Sequence, residues 1–206
     1  MIALVDYGAG NLTSVRKALS SLGAEFMTPT APHQLKDVRA VIVPGVGHFA
    51  ATGALDEEWR DAIGRAAAAG TPLFGICVGM QWLFEGSDEA PGIAGLGLMK
   101  GRIARLDGDV EKRLKVPHVG WNALDFTRPA RLLRGLDRGA QVYFTHSYAA
   151  PVTTDCAAET THANTFASAV ERDNIFGVQF HPEKSGNAGL QILRNFLEIA
   201  GAGAQR

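Results

Sequence analysis

The sequence predicts an α/β fold, with a mainly parallel central sheet flanked by helices and additional antiparallel strands in the second half. Three observations predict it. Continuous apolar runs, which mark strands buried on both faces, alternate with helical spacing over the first half. Glycine or proline turns close several of those runs. Strand-like runs then dominate the second half, before a last amphipathic stretch.

In chain order, Ile2–Val5 reads as a strand ending in Asp6-Tyr7-Gly8-Ala9-Gly10. A helix is expected from about Asn11, because Leu12, Val15, Ala18, Leu19 and Leu22 fall at helical spacing and Gly23 closes the pattern. Glu25–Met27 is a short second strand. Val38–Val43 is a third, stopped by Pro44-Gly45-Val46-Gly47. Leu55–Ala69 reads as a helix, Pro72–Ile76 as a strand and Val78–Phe84 as a helix. Later strands are expected around Gly101–Leu106, Val142–Thr145, Phe166–Val170 and Ile175–Phe180. The final helix covers about Ala188–Ala200, with Leu190, Leu193, Phe196 and Leu197 on its apolar face. With no internal repeat or linker in view, residues 1–206 are expected to form one domain.

Composition narrows the function classes. A formal net charge of -1 leaves no basic excess for a phosphate backbone, so nucleic acid is not the expected partner. Two cysteines, Cys77 and Cys156, are too few for a disulfide scaffold and suit a reducing compartment. The uncharged run Ala66–Phe84 is long enough to span a bilayer. Gly70, Pro72, Gly75 and Gly79 interrupt it, which favours a helix end, a buried strand and a sharp entry into the next helix. The short apolar start lacks a basic leader, and the expectation is a soluble, cytoplasmic protein with no membrane partner. There is no Cys-x-x-Cys, His-x-His or His-Glu-x-x-His, so no metal or other cofactor is expected.

Gly75-Ile76-Cys77-Val78-Gly79 carries the most chemical information. Gly-x-Cys-x-Gly between a buried strand and a helix has the layout of a nucleophile elbow with cysteine in the serine position. The glycines let the chain turn abruptly, and the helix N-terminus favours a thiolate. Read alone, Cys77 would equally suit a small buried apolar residue. Of six histidines, His33, His48 and His162 lie in polar or turn-like surroundings, while His118, His146 and His181 each end an apolar run. In Gln179-Phe180-His181-Pro182-Glu183, Glu183 is close enough to fix the imidazole tautomer. By itself the His-Pro-Glu run could be a surface turn. Gly8-Ala9-Gly10 and Gly45-Val46-Gly47 resemble the start of a dinucleotide fingerprint, but Thr13 and Ala50 stand at the third glycine position. The second turn has another use, as backbone N–H groups aimed at an oxyanion.

Gly-x-Cys-x-Gly with a distant His-x-Glu resembles the class I glutamine amidotransferases. Asp6–Leu12, Pro44–Phe49, Gly75–Gln81, Pro117–Asn122 and His181–Ser185 resemble the glutaminase subunits of imidazole glycerol phosphate synthases within that family. Met99-Lys100-Gly101 departs from it, since proline commonly precedes this glycine. The resemblance implies a catalytic triad of Cys77, His181 and Glu183. It implies an oxyanion site at Gly45, Val46, Gly47 and Val78, and glutamine held by Gln81, His146, Ser147 and Tyr148. It implies a (β/α)8-barrel cyclase as heterodimer partner, met near Asn11, Trp121, Tyr143 and Lys184, and no cofactor. A helix cap, two core aromatics and a solvated lysine would be ordinary roles for those four residues. Another class I glutaminase, such as that of pyridoxal phosphate synthesis, or a thiol hydrolase fits less well because of Pro-His-x-Gly-Trp-Asn. A regulatory pseudo-enzyme would be expected to have lost a member of the triad.

Overall fold

The computed structural model describes residues 1–108 and 114–201. In chain order the elements are β1 (Ile2–Leu4), α1 (Leu12–Ser21), β2 (Phe26–Met27), β3 (Ala40–Gly45), α2 (Glu57–Ala68), β4 (Leu73–Cys77) and α3 (Val78–Trp82). There follow β5 (Gly86–Ser87), β6 (Arg102–Arg105), β7 (His118–Ala123), β8 (Asp125–Phe126), β9 (Gln141–His146) and β10 (Tyr148–Ala149). The chain continues through β11 (Cys156–His162), β12 (Asn164–Arg172), β13 (Ile175–Val178) and α4 (Gly186–Ile199).

An eight-stranded sheet runs in the order β2-β1-β3-β4-β13-β12-β11-β8. Its first five strands are mutually parallel, and β12, β11 and β8 add in antiparallel fashion. The α/β expectation, with antiparallel strands late in the chain, describes this sheet. Two smaller sheets, β10-β6-β5 and β7-β9, lie outside it.

Period-two alternation explains why the early strands are apolar throughout. Ile2, Leu4, Ile42, Phe74 and Ile76 face one core with Val15 and Leu19 of α1 and Leu193 and Phe196 of α4. Ala3, Val5, Val41, Val43 and Leu73 face the other, with Ile63 and Ala67 of α2 and the aromatic residues Phe49, Trp82 and Phe84. Phe74 and Phe196 meet at a ring distance of 4.8 Å, a contact whose loss on Phe196→Ala would cost about 3–5 kcal/mol.

Most predicted boundaries stand within a few residues. The helix expected over Val78–Phe84 is shorter, ending at Trp82, because Leu83 and Phe84 turn the chain toward β5. Strands β7 and β11 were not anticipated. The reason is compositional: His-Val-Gly-Trp-Asn-Ala and Cys-Ala-Ala-Glu-Thr-Thr-His lack a run of β-branched or aromatic residues.

The elbow rests on the close approach of α3 to β3. A Cβ on Gly79 would sit 1.8 Å from the Val43 carbonyl oxygen, and one on Gly75 would lie 2.6 Å from Met80 Cα. Gly64 in α2 has nothing within 4 Å of the same position. Gly79→Ala is therefore expected to destabilise the fold by about 3 kcal/mol or more through overpacking. Gly64→Ala should stabilise it by about 0.5–1 kcal/mol. Thermal denaturation of the two variants checks this; equal melting temperatures would refute the packing account of the elbow.

Candidate active site

Cys77 ends β4 and heads α3 with φ 54° and ψ -111°, in the region that ordinary side chains avoid. Such strain is the signature of an elbow that holds a side chain out of both flanking elements. The register that pairs Cys77 with Gly45 brings the end of β3 alongside. There a Cβ on Gly45 would meet the Tyr7 hydroxyl at 2.4 Å and the Gly79 nitrogen at 2.8 Å.

Beyond β13, the chain delivers His181 and Glu183 to the same end of the sheet. His181 Nδ1 and Glu183 Oε1 are 2.9 Å apart, with both side chains buried. Three bonds clamp this segment onto β9. The His181 N–H donates to the Tyr143 carbonyl at 2.9 Å, the Ser185 hydroxyl donates to the His181 carbonyl at 2.6 Å, and the Tyr143 N–H donates to that hydroxyl at 2.9 Å. His181 Nε2 has no partner in good hydrogen-bonding geometry, and Cys77 is its ionisable neighbour. Burial alone would lower the imidazole's proton affinity. Cys77 and Glu183, as hydrogen-bonding and charged neighbours, outweigh burial and push it up to about 10. At neutral pH the ring therefore keeps its second proton, held between Cys77 and Glu183.

A cleft of about 250 Å³ opens over Cys77, lined by Val46, Gly47, Val78, Gln81 and the segment Thr145–Tyr148, with Glu89 and Pro117 at its sides. It is at or below the small end of ligand pockets, about 300–1,000 Å³, and suits something the size of an amino acid. The structure thus brings together Cys77, Val46, Gly47 and Val78 with Gln81, His146, Ser147 and Tyr148. Gly45 is set back in the wall. Trp121, Tyr143 and Lys184 form a separate cluster. The Trp121 and Tyr143 rings are 6.2 Å apart, and the Lys184 ammonium is 5.8 Å from the Tyr143 ring. Asn11 precedes α1, the helix that packs beside the turn carrying Lys184, and its side chain makes no capping bond.

A profile of the family described as "Glutamine amidotransferase class-I" matches residues 3–200. The chain belongs to that family. A relative from Moorella thermoacetica named imidazole glycerol phosphate synthase subunit HisH is 45% identical over 202 residues, covering 96% of this chain and 94% of its own. Its counterparts from Geobacillus kaustophilus and Thermococcus kodakarensis are 46% and 43% identical, each covering 97% of this chain and 97% and 100% of theirs. Among solved structures, a glutamine amidotransferase superposes with a TM-score of 0.75 at 21% identity, covering 98% of this chain and all of that one. PurLQS from Thermotoga maritima gives 0.73 at 21%, covering 96% and 97%, and supports the fold.

Four residues of this amidotransferase near the cleft escaped sequence reasoning as site residues. Tyr7 buries its hydroxyl without a partner, and burial, then the charge at Cys77, hold the phenol protonated. Gln179 donates from Nε2 to Cys77 Sγ at 3.7 Å. Ser185 supplies the clamp described above. His118 sits behind His146, 3.1 Å from its Nε2. The available signal was a polar residue at the end of an apolar run, as for Gln179 after Ile175–Val178. Cys156 is buried away from the cleft with Sγ against the Ala158 carbonyl, and burial pushes its thiol up to about 11. Among the described residues, no helix is long and apolar enough to cross a membrane. Nor does any group of three or more His, Cys, Asp or Glu among them suit a metal ion.

The inner histidines behave oppositely to His181. Burial first, then the neighbouring imidazoles, push His118 down to about 3 and His146 down to about 4. Both bind fewer protons folded than unfolded, so their contribution to stability is intact above about pH 6.5 and is lost as pH falls through about 4 for His146 and about 3 for His118. The wild-type melting temperature should decline through that window, and His118→Phe should flatten the decline. Parallel pH curves for the two proteins would refute the assignment.

Proposed function

We propose that this chain is the glutaminase subunit of an imidazole glycerol phosphate synthase. It hydrolyses L-glutamine and hands the ammonia to a cyclase subunit that forms imidazole glycerol phosphate and AICAR in histidine biosynthesis. The observation that carries the chemistry is a strained cysteine beside a buried His181–Glu183 pair, at the floor of a cleft of amino-acid size. The pathway and partner rest on the near-full-length identity to subunits bearing that name.

In the proposed mechanism, the Cys77 thiolate attacks the side-chain amide carbon of glutamine and forms the C–S bond. Backbone N–H groups of Val78 and the Gly45–Gly47 turn receive the oxyanion, where one well-placed donor contributes about 2.7–4 kcal/mol. The His181 imidazolium then gives its proton to the departing nitrogen, the C–N bond breaks, and ammonia leaves a glutamyl thioester. Neutral His181 next takes a proton from water as the oxygen attacks. Loss of the thiolate releases glutamate and restores the ion pair. Glu183 keeps the imidazole in the orientation that exposes Nε2. Gln81, His146, Ser147 and Tyr148 surround the amino-acid end of the substrate.

Ammonia released into water would be protonated and diluted, so a sheltered route to the acceptor is required. The partner surface in this reading is the cluster around Trp121. Val119 and Trp121 are 57% and 56% exposed and lie on the same side of β7, with Tyr143 and Lys184 beside Trp121. Exposed aromatic residues with a cation on the rim are the composition of an interface centre. A (β/α)8-barrel cyclase is the proposed occupant, with a cytoplasmic heterodimer as the assembly and residues 1–206 acting as one glutaminase domain. No cofactor is invoked.

Cys77→Ala should lower glutamine hydrolysis by ~10³-fold or more while ammonium salts still support synthesis in the presence of the cyclase. A glutamine-like electrophile should label Cys77 in peptide mass spectrometry. Persistent hydrolysis in the variant, or labelling of Cys156 instead, would overturn the assignment. Glutaminase turnover should also rise many-fold when cyclase and its phosphorylated nucleotide ligand are added together. An isolated chain already at full rate would remove the case for coupling to this partner.

A further inference from the structure

Behind the cleft, a set of side-chain amides and imidazoles has its donors and acceptors fixed from both ends. At the inner end stands the Tyr148 carbonyl, which can only accept. Gln81 must therefore turn its amide nitrogen toward it, and Nε2 donates there at 2.8 Å. The second hydrogen of Gln81 Nε2 faces Gln179 at 3.0 Å, so Gln179 presents its oxygen to Gln81. That leaves the Gln179 nitrogen directed at Cys77 Sγ, 3.7 Å away. Gln179 and Gln81 are both buried, so their amides have no solvent to turn toward.

The outer end sets the same polarity on His146. Asn122 Nδ2 donates to the Thr161 carbonyl at 3.1 Å and faces His118 Nε2 at 3.3 Å, so that nitrogen accepts. His118 then donates from Nδ1 to His146 Nε2 at 3.1 Å, and His146 donates from Nδ1 to the same Tyr148 carbonyl at 2.9 Å. Two backbone carbonyls thus determine every donor between the Asn122 edge of β7 and the sulphur.

We propose that Gln179 is a positioning residue of the thiol, holding Cys77 with one end of its amide and Gln81 with the other, so that nucleophile and substrate-binding amide stand in fixed relation. An N–H directed at sulphur favours the thiolate over the thiol, because hydrogen bonding to the charged form stabilises that form. It also directs the sulphur's lone pairs, which a strained backbone alone would leave free to rotate about the Cα–Cβ bond. The inference rests on the glutaminase reading above.

The test uses this chain complexed with its cyclase partner and two variants. Gln179→Met keeps the volume and removes both ends of the amide. Its Cys77 alkylation by iodoacetamide, followed peptide by peptide, should reach half-maximal rate about one pH unit higher than in the wild type. Its kcat should fall about tenfold or more and its KM for glutamine should rise, because Gln81 loses its anchor. Gln179→Glu keeps the acceptor for Gln81 and puts a carboxylate against the sulphur. Its KM should stay within about twofold while the alkylation midpoint again moves upward. An alkylation midpoint at the wild-type pH in either folded variant overturns the proposal, since a purely structural residue would lower only the melting temperature. Should neither variant fold, the Gln179 side-chain amide resonance of the ¹⁵N-labelled wild-type complex decides. It should shift over the pH range in which Cys77 becomes reactive, and a resonance constant across that range overturns the proposal. Wild-type complex whose glutamine hydrolysis does not depend on Cys77 would instead refute the glutaminase reading, which separates the two failures.

Discussion

The site depends first on the distance between α3 and the end of β3. At Gly79 the helix comes so near the Val43 carbonyl that no side chain fits, and Gly45 at the end of β3 and Gly75 in β4 allow the same crowding from the strand side. Several features of the site follow from that approach. It forces Cys77 into positive φ, because the chain has no room to enter the helix gradually. It sets the Gly45–Gly47 turn beside the first residues of the helix, where the proposed oxyanion site lies. The strain and this juxtaposition share one cause.

The histidine segment depends on a second device of a different kind. A single hydroxyl, Ser185 Oγ, donates to His181 and accepts from Tyr143, while the His181 N–H returns to Tyr143. The main chain of Tyr143 therefore positions the imidazole, and its ring stands between Trp121 and Lys184 at the surface. Strand β7 divides its work in the same way. Val119 and Trp121 point outward, while His118 and Asn122 point into the polar network behind the cleft. Period-two geometry is sufficient to place the proposed partner surface and the back of the cleft on opposite sides of one strand.

The sequence was most legible where one physical signal dominated. β1, β3 and β4 could be read because both faces are covered, which makes every position apolar. The elbow could be read because steric exclusion demands glycine at fixed offsets, and His181 with Glu183 because the pair is local. The two-residue strands β5, β8 and β10 have no pattern to read. The His118–His146 contact is written in no local segment. It arises from the β7–β9 register, which sets those residues opposite one another across 28 positions of chain. The same holds for Gln179 and Cys77, joined through the β4–β13 pairing.

That register produces the main electrostatic contrast of the site. His181 and His146 are close enough to influence one another's charge, yet one is pushed up to about 10 and the other down to about 4. Burial disfavours charge on both, so burial cannot distinguish them. Their partners do. His181 faces a carboxylate and a sulphur, both of which gain from a positive ring. His146 faces a carbonyl on one nitrogen and a donating imidazole on the other, which satisfies the neutral ring and leaves no acceptor for another proton. A second imidazolium beside His181 would also meet like-charge repulsion, which is part of what lowers His146. Neutrality at His146 and charge at His181 are thus two consequences of one arrangement, in which Cys77 and Glu183 both lie beside the ring that transfers a proton in the proposed mechanism.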